Sequence, residues 1–134
     1  MHRKLLPVTI ATLLLSIPAI GMARRLSANT IDPTARIVEH GAAIALSGPI
    51  TCTQVELVGM RITVTQRTTG AVAEGYLVFL GTATQQHWQV NASVRGGAGF
   101  EPGPAVATAI AVTSRNGQTT DAHQWLVPVQ VQQE

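Results

Sequence analysis

The segment AVATAIAVTSRNGQTTDAHQWLVPVQV, residues 105–131, decides the predicted fold. Apolar and polar side chains alternate on both sides of Asn116-Gly117, a dipeptide that favours a tight type I′ turn. Alternation with a period of two is typical of a β-strand that has one face against a core. The segment therefore predicts two antiparallel strands joined as a hairpin.

The same alternation extends back to residue 35. It predicts strands in ARIVE (35–39), AAIALSGPITCT (42–53), MRITVTQ (60–66), AVAEGYLVFLG (71–81) and HWQVNASV (87–94). The turn RTTG joins the third and fourth of these runs into a further hairpin. About seven short strands at intervals of roughly ten residues indicate an all-β domain, and we expect a two-sheet antiparallel sandwich of immunoglobulin-like type.

The N-terminal residues have the features of a secretory signal peptide. Arg3 and Lys4 precede an apolar run from Leu5 to Met22, and small residues follow around Ala23. We expect cleavage after Ala23 and export to the periplasm or the medium of a bacterium. A cut after Ala28 and an uncleaved anchor are the alternatives, because the run approaches membrane-spanning length. The predicted organisation is a signal peptide (1–23), a linker (24–34), the β domain (35–131) and a tail (132–134).

The charge balance argues against a nucleic-acid partner. Two of the nine basic residues, Arg3 and Lys4, lie in the predicted leader, which leaves seven arginines against seven acidic residues. A protein that binds DNA or RNA needs a concentrated excess of cations. We therefore expect no nucleic-acid partner, and membrane contact only through an uncleaved export signal.

Cys52 is the only cysteine, so a disulfide within the chain is impossible. It shares a predicted strand face with Ile44, Leu46 and Ile50, which predicts a buried thiol that packs as a small apolar side chain. No adjacent basic residue favours the thiolate that a catalytic cysteine needs. Pairing with another chain remains open.

Two histidines each lie beside a tryptophan, and strand parity separates them. His87 is predicted to point outward because Trp88 carries the apolar parity, whereas His123 shares the inward parity of Trp125. Asp121 has the same parity as His123. One interpretation is a carboxylate that orients an imidazole for catalysis or metal binding. The interpretation that we favour is a polar plug at one end of the core.

Metal and catalytic motifs are weak. A copper site of the cupredoxin type needs a cysteine and two histidines, and Cys52, His87 and His123 supply these residue types without a favourable spacing. No serine lies in a G-x-S-x-G elbow. We predict no catalytic residues, no cofactor and no enzymatic activity.

A stripe of polar side chains is predicted along one face of the run at 60–66. It consists of Arg61, Thr63, Thr65 and Arg67. One interpretation is a surface that binds an anionic partner or a partner's edge strand. The other is an ordinary solvated strand face, where threonine suits the pleat.

The segments LSGPITCT (46–53), VTQRTTGAVAEG (64–75) and TTDAHQW (119–125) are together similar to a loose group of short exported bacterial β-sandwich proteins of uncharacterised function. The resemblance implies export and a sandwich, and it implies no catalytic residues. Such relatives carry a second cysteine just before a QQ-x-W segment, whereas FLGTATQQHW (79–88) has none. On this resemblance, Cys52 marks the place of a lost inter-sheet disulfide.

The function expected from these features is that of a secreted, non-enzymatic module that binds an unidentified protein or associates with the cell envelope. The first alternative is an exported metal-binding or redox protein that uses Cys52 and His123, with or without His87. The second is a small hydrolase built around Asp121 and His123.

Overall fold

A computed structural model describes residues 24–27 and 30–134, and the predicted signal peptide lies outside these described residues. The described chain forms eight β-strands and one 3-10 turn at Glu39–Gly41. The strands are β1 (Leu26–Ser27), β2 (Thr34–Val38), β3 (Ala43–Cys52), β4 (Leu57–Gln66), β5 (Ala71–Leu80), β6 (Gln85–Arg95), β7 (Gly103–Arg115) and β8 (Gln118–Gln132). Among these described residues, we find no helical segment with the length and hydropathy of a membrane span. The predicted all-β class is confirmed.

The sheet closes into a barrel of the seven strands β2 to β8. Its order is β3-β2-β8-β7-β4-β5-β6, and β6 returns to pair with β3. This closing ladder covers nine positions, from Ala43 opposite Ser93 to Thr51 opposite Gln85. The predicted immunoglobulin-like two-sheet sandwich is therefore wrong. Alternation is the same in a sandwich and in a barrel, because in both each strand turns one face toward a core.

The inside of the barrel is a packed core in which large and small side chains lie side by side. On β4, the inward residues Met60 and Ile62 are fully buried, and they pair in register with Ala111 and Ala109 of β7. Seven strands enclose little space, so small residues on one strand make room for large residues on the next. Each fully buried Met or Ile contributes about 1.5–3 kcal/mol of hydrophobic stabilisation.

Strand β3 confirms the predicted burial of Cys52, which is fully buried and unpaired. The thiol lies against Gly81, just after β5. A Cβ built on Gly81 would be 2.7 Å from the Cβ of Cys52. That separation is shorter than the roughly 3.5–4.5 Å of a disulfide, so a cysteine at position 81 could bond to Cys52 only after a backbone shift of about 1 Å.

The described parts of the predicted linker, residues 24–27 and 30–34, lie against the barrel. Leu26 and Ile31 are buried, and β1 pairs with the end of β3. The backbone N–H of Asp32 donates to the carbonyl of Ser47 at 2.8 Å. The carbonyl of Thr30 lies over Gly48, where the missing side chain allows the close approach. The segment therefore extends the barrel wall between β3 and β8.

The β7–β8 hairpin has the predicted turn and one unpredicted irregularity. Asn116 and Gly117 have φ values of 53° and 79°, and a type I′ turn needs positive φ at both positions. In the ladder, Thr113 opposes Asp121 and Ser114 opposes Thr119, so Thr120 is an extra residue in a β-bulge. The bulge directs both Thr120 and Asp121 toward one end of the barrel.

Candidate functional site

The fold does not gather the three predicted metal candidates. Cys52 is buried inside the barrel, and His87 lies on the outer side of β6, where its Nε2 is 3.8 Å from a carboxylate oxygen of Asp32. His123 stacks on Trp125 with ring centroids 5.6 Å apart. Within the described residues, no group of three or more His, Cys, Asp or Glu side chains is arranged to hold a metal ion.

Asp121 binds backbone rather than the imidazole of His123. Its Oδ2 accepts hydrogen bonds from the N–H groups of Arg25 (2.8 Å) and Leu26 (3.2 Å), and its Oδ1 accepts one from Ala122 (2.8 Å). Burial raises the pKa of Asp121, but these three donors and the positive charge of Arg24 outweigh it and lower the pKa below its usual value. Asp121 therefore anchors the start of β1 to β8.

A buried acid that the sequence did not single out closes the same end of the barrel. The Glu56 side chain is fully buried, and its Oε1 lies 3.6 Å from Nη1 of Arg25 and 3.5 Å from Nη2 of Arg115. Its Oε2 accepts a hydrogen bond from the hydroxyl of Thr120, which also contacts the hydroxyl of Thr113 at 2.8 Å. The cluster ties the N-terminal segment and the β7–β8 hairpin to β4. These contacts give Glu56 a structural role.

The outer apolar face is a contiguous surface across β5, β4, β7 and β8. Its residues are Tyr76, Val78 and Leu80 on β5, Leu57 on β4, Ile110 on β7 and Leu126 on β8, each between 43% and 64% exposed. The register connects them: Leu57 pairs with Leu80, and Tyr76 and Ile110 flank Arg61 and line one hollow with it. Leu126 pairs with Thr108 and is the diagonal neighbour of Ile110. From the usual strand spacing and rise, the face spans roughly 14 Å across the strands and roughly 20 Å along them.

The predicted polar stripe on β4 adjoins this face, because its first residue, Arg61, lies between Tyr76 and Ile110. Arg61, Thr63 and Thr65 lie on the outer side of β4 as predicted, and Arg67 lies in the turn after it. A hollow of about 200 Å³ beside Arg61 is lined by Gly59, Arg61, Tyr76, Ile110 and Val112. The same side of β4 is thus polar at the Thr63–Thr65 end and apolar, with one cation, at the Leu57 end.

A second concavity, the polar trough, lies on the outside of β2, β3 and β6. It has a volume of about 460 Å³ and is lined by Asp32, Pro33, Thr34, Arg36, Ala45, Leu46, Ser47, Gln89 and Asn91. None of these residues was a candidate from sequence, since the three strands meet only when the barrel closes.

Comparison with protein-family models and with curated proteins found no match for this chain. Its function must therefore be argued from its own surfaces.

Proposed function

We propose that this protein is an exported, non-enzymatic β-barrel module that binds a partner of the cell envelope through the outer apolar face. The signal-peptide pattern of residues 1–23 supports export. The observation that carries the binding role is the contiguity of the six exposed apolar side chains. Isolated apolar side chains are normal on protein surfaces, whereas contiguous patches mark interaction sites.

The size of the face indicates a weak or transient complex unless the partner also contacts its surroundings. A face of roughly 14 by 20 Å, from strand geometry, has an area of roughly 280 Å². Burying that area contributes about 7 kcal/mol at about 25 cal/mol per Å². The loss of translational and rotational freedom on association costs about 4–15 kcal/mol. A stable interface buries about 800 Å² per partner, so the polar end of the β4 stripe belongs to the expected footprint.

Site-specific crosslinking in the producing cells tests this proposal. A photo-reactive amino acid at Val78 lies in the face, and the same amino acid at Ser93, on the outer side of β6, is the matched control. We expect a discrete crosslinked adduct from position 78 and none of that mass from position 93. The same adducts from both positions, or none from position 78, would contradict the proposal.

A second pair of variants separates binding from folding. Val78→Thr keeps a β-branched residue on the outer side of β5, so we expect thermal unfolding to change little. In combination with Leu126→Gln, it should remove the adduct from a crosslinker placed at Tyr76. An adduct that persists at full yield would show that the apolar side chains do not hold the partner.

A further inference from the structure

The polar trough has a floor of small side chains between two walls of long ones. Ala45 and Ser47 of β3 form the floor. In register, Ala45 lies between Arg36 of β2 and Asn91 of β6, and Ser47 pairs with Gln89. Neighbouring strands are about 4.8 Å apart, which places the walls about 10 Å apart at their Cα atoms. The volume of about 460 Å³ falls within the range of small-molecule sites.

The two ends of the trough carry opposite charges. Asp32 and Arg36 lie on the same wall, and four residues of extended chain separate their Cα atoms by at most about 13 Å. Asp32 accepts a hydrogen bond from the Ser47 hydroxyl at 2.7 Å, and its side chain is 40% exposed. His87 Nε2 lies 3.8 Å from Asp32, a contact that is an ion pair only when the imidazole is protonated. The other ion pairs among the described residues join Arg25 and Arg115 to Glu56, and none of them includes Arg36. The guanidinium is therefore available to an anionic group of a ligand.

The opposite wall supplies primary amides. Asn91 lines the trough and donates to a carboxylate oxygen of Glu39 at 3.3 Å, which leaves its Oδ1 free to accept a hydrogen bond. Gln89 carries both donor and acceptor atoms. A side-chain amide that carries both a donor and an acceptor can form hydrogen bonds with the C=O and N–H groups of a peptide backbone.

We infer that the polar trough binds a short peptide with free termini, whose carboxylate pairs with Arg36 and whose ammonium pairs with Asp32. Three extended residues span about 10 Å, which is within the separation of at most about 13 Å between the Cα atoms of Asp32 and Arg36. A phosphate-like dianion suits Arg36, but Asp32 repels it. A sugar would lack an aromatic side chain to stack on among the described lining residues.

This site is independent of the proposed function, because it lies on β2, β3 and β6 and the outer apolar face lies on β4, β5, β7 and β8. A peptide that fills the trough leaves the outer apolar face uncovered. Failure of either proposal therefore leaves the other standing.

Titration of the exported, isotope-labelled protein with tri-alanine, followed by NMR, tests the inference. We expect saturable shifts of the backbone amides of Ser47 and Asn91. N-acetyl-tri-alanine and tri-alanine amide should each bind about two- to fivefold more weakly, since each lacks one terminal charge and the partners of those charges are exposed to solvent. Equal binding of free and blocked peptides, shifts confined to other strands, or no saturable shift at about 10 mM peptide would each overturn the inference.

Two variants assign each terminus to its partner. Arg36→Gln should remove the preference for a free carboxylate and keep the preference for a free ammonium, and Asp32→Asn should do the reverse. Arg67→Gln removes a cation in the β4–β5 turn and should bind like the unmodified protein. A loss of both preferences in either variant would contradict the assigned orientation.

Discussion

Replacing Glu56 with alanine tests whether the buried acid holds one end of the barrel closed. The substitution removes the oxygens that lie 3.6 Å from Arg25 and 3.5 Å from Arg115. It also leaves the Thr120 hydroxyl without its carboxylate acceptor. We expect a large loss of stability, because two guanidinium groups keep their positions while their common counter-charge disappears.

The burial of the partners sets the magnitude. Removing one member of a fully buried ion pair costs about 3–5 kcal/mol. The side chains of Arg25 and Arg115 are 25% and 51% exposed, so both guanidinium groups remain partly hydrated when Glu56 is removed. We therefore expect a loss of stability at the lower end of this range, about 3 kcal/mol. Glu56→Gln keeps the shape and an acceptor for Thr120, and it should cost about 1–2 kcal/mol.

Thermal and urea unfolding followed by circular dichroism measure the effect. For a domain of about 100 residues, a loss of about 3 kcal/mol lowers Tm by about 10–15 °C. Glu74→Ala is the matched control, since Glu74 lies exposed on the outer side of β5 and should change the free energy of unfolding by less than about 0.5 kcal/mol. Equal Tm values for the Glu56→Ala and Glu74→Ala proteins would refute the reasoning.

Three further predictions concern Gly48, Asp121 and Cys52. Gly48→Ala places a Cβ 2.8 Å from Trp88 Cζ2 and against the Thr30 carbonyl, and it should destabilise the protein by about 1–3 kcal/mol in urea unfolding. Gly99→Ala, with open space around it, is the control. The lowered pKa of Asp121 adds stability that is complete above about pH 4 and disappears as the pH falls through the folded-state pKa. Asp121→Asn should therefore reduce the fall in Tm between about pH 5 and pH 2, and an unchanged pH profile would count against the anchor. The Tm of the monomer should be the same with and without reductant because Cys52 is unpaired, and a large shift would contradict this.

Local sequence signals predicted the strands and their faces well. The Asn116-Gly117 hairpin, the hairpin at RTTG and the inward set on β3 all follow from turn chemistry and alternation, which involve residues close in sequence. Barrel closure did not follow, because the β3–β6 ladder depends on the twist and tilt of every strand between them. The inward alanines of β7 were visible in the sequence, but alternation alone does not distinguish a narrow barrel from a thin sandwich.

The candidate sites also differ in whether local sequence or the pairing of distant strands sets them. The Arg61–Thr65 stripe lies on one strand, so parity placed it correctly on the outer surface. The Glu56 cluster needs a bulge at Thr120 that shifts the parity of β8, and no turn residue in the sequence marks that bulge. The polar trough did not follow from the sequence either, because it forms only where β2, β3 and β6 lie side by side in the closed barrel.

By itself, the amino-acid sequence determined the all-β class, the two hairpin turns and the side of β3, β4 and β6 that faces the core, because these depend on backbone preferences and side-chain period over a few residues. Only the tertiary structure decided that the sheet closes on itself, that residues 24–27 and 30–34 extend its wall, and which exposed side chains become neighbours. Those features depend on pairing between strands that are distant in sequence. Several strands have suitable alternation, and the accumulated twist of the whole sheet determines which of them pair.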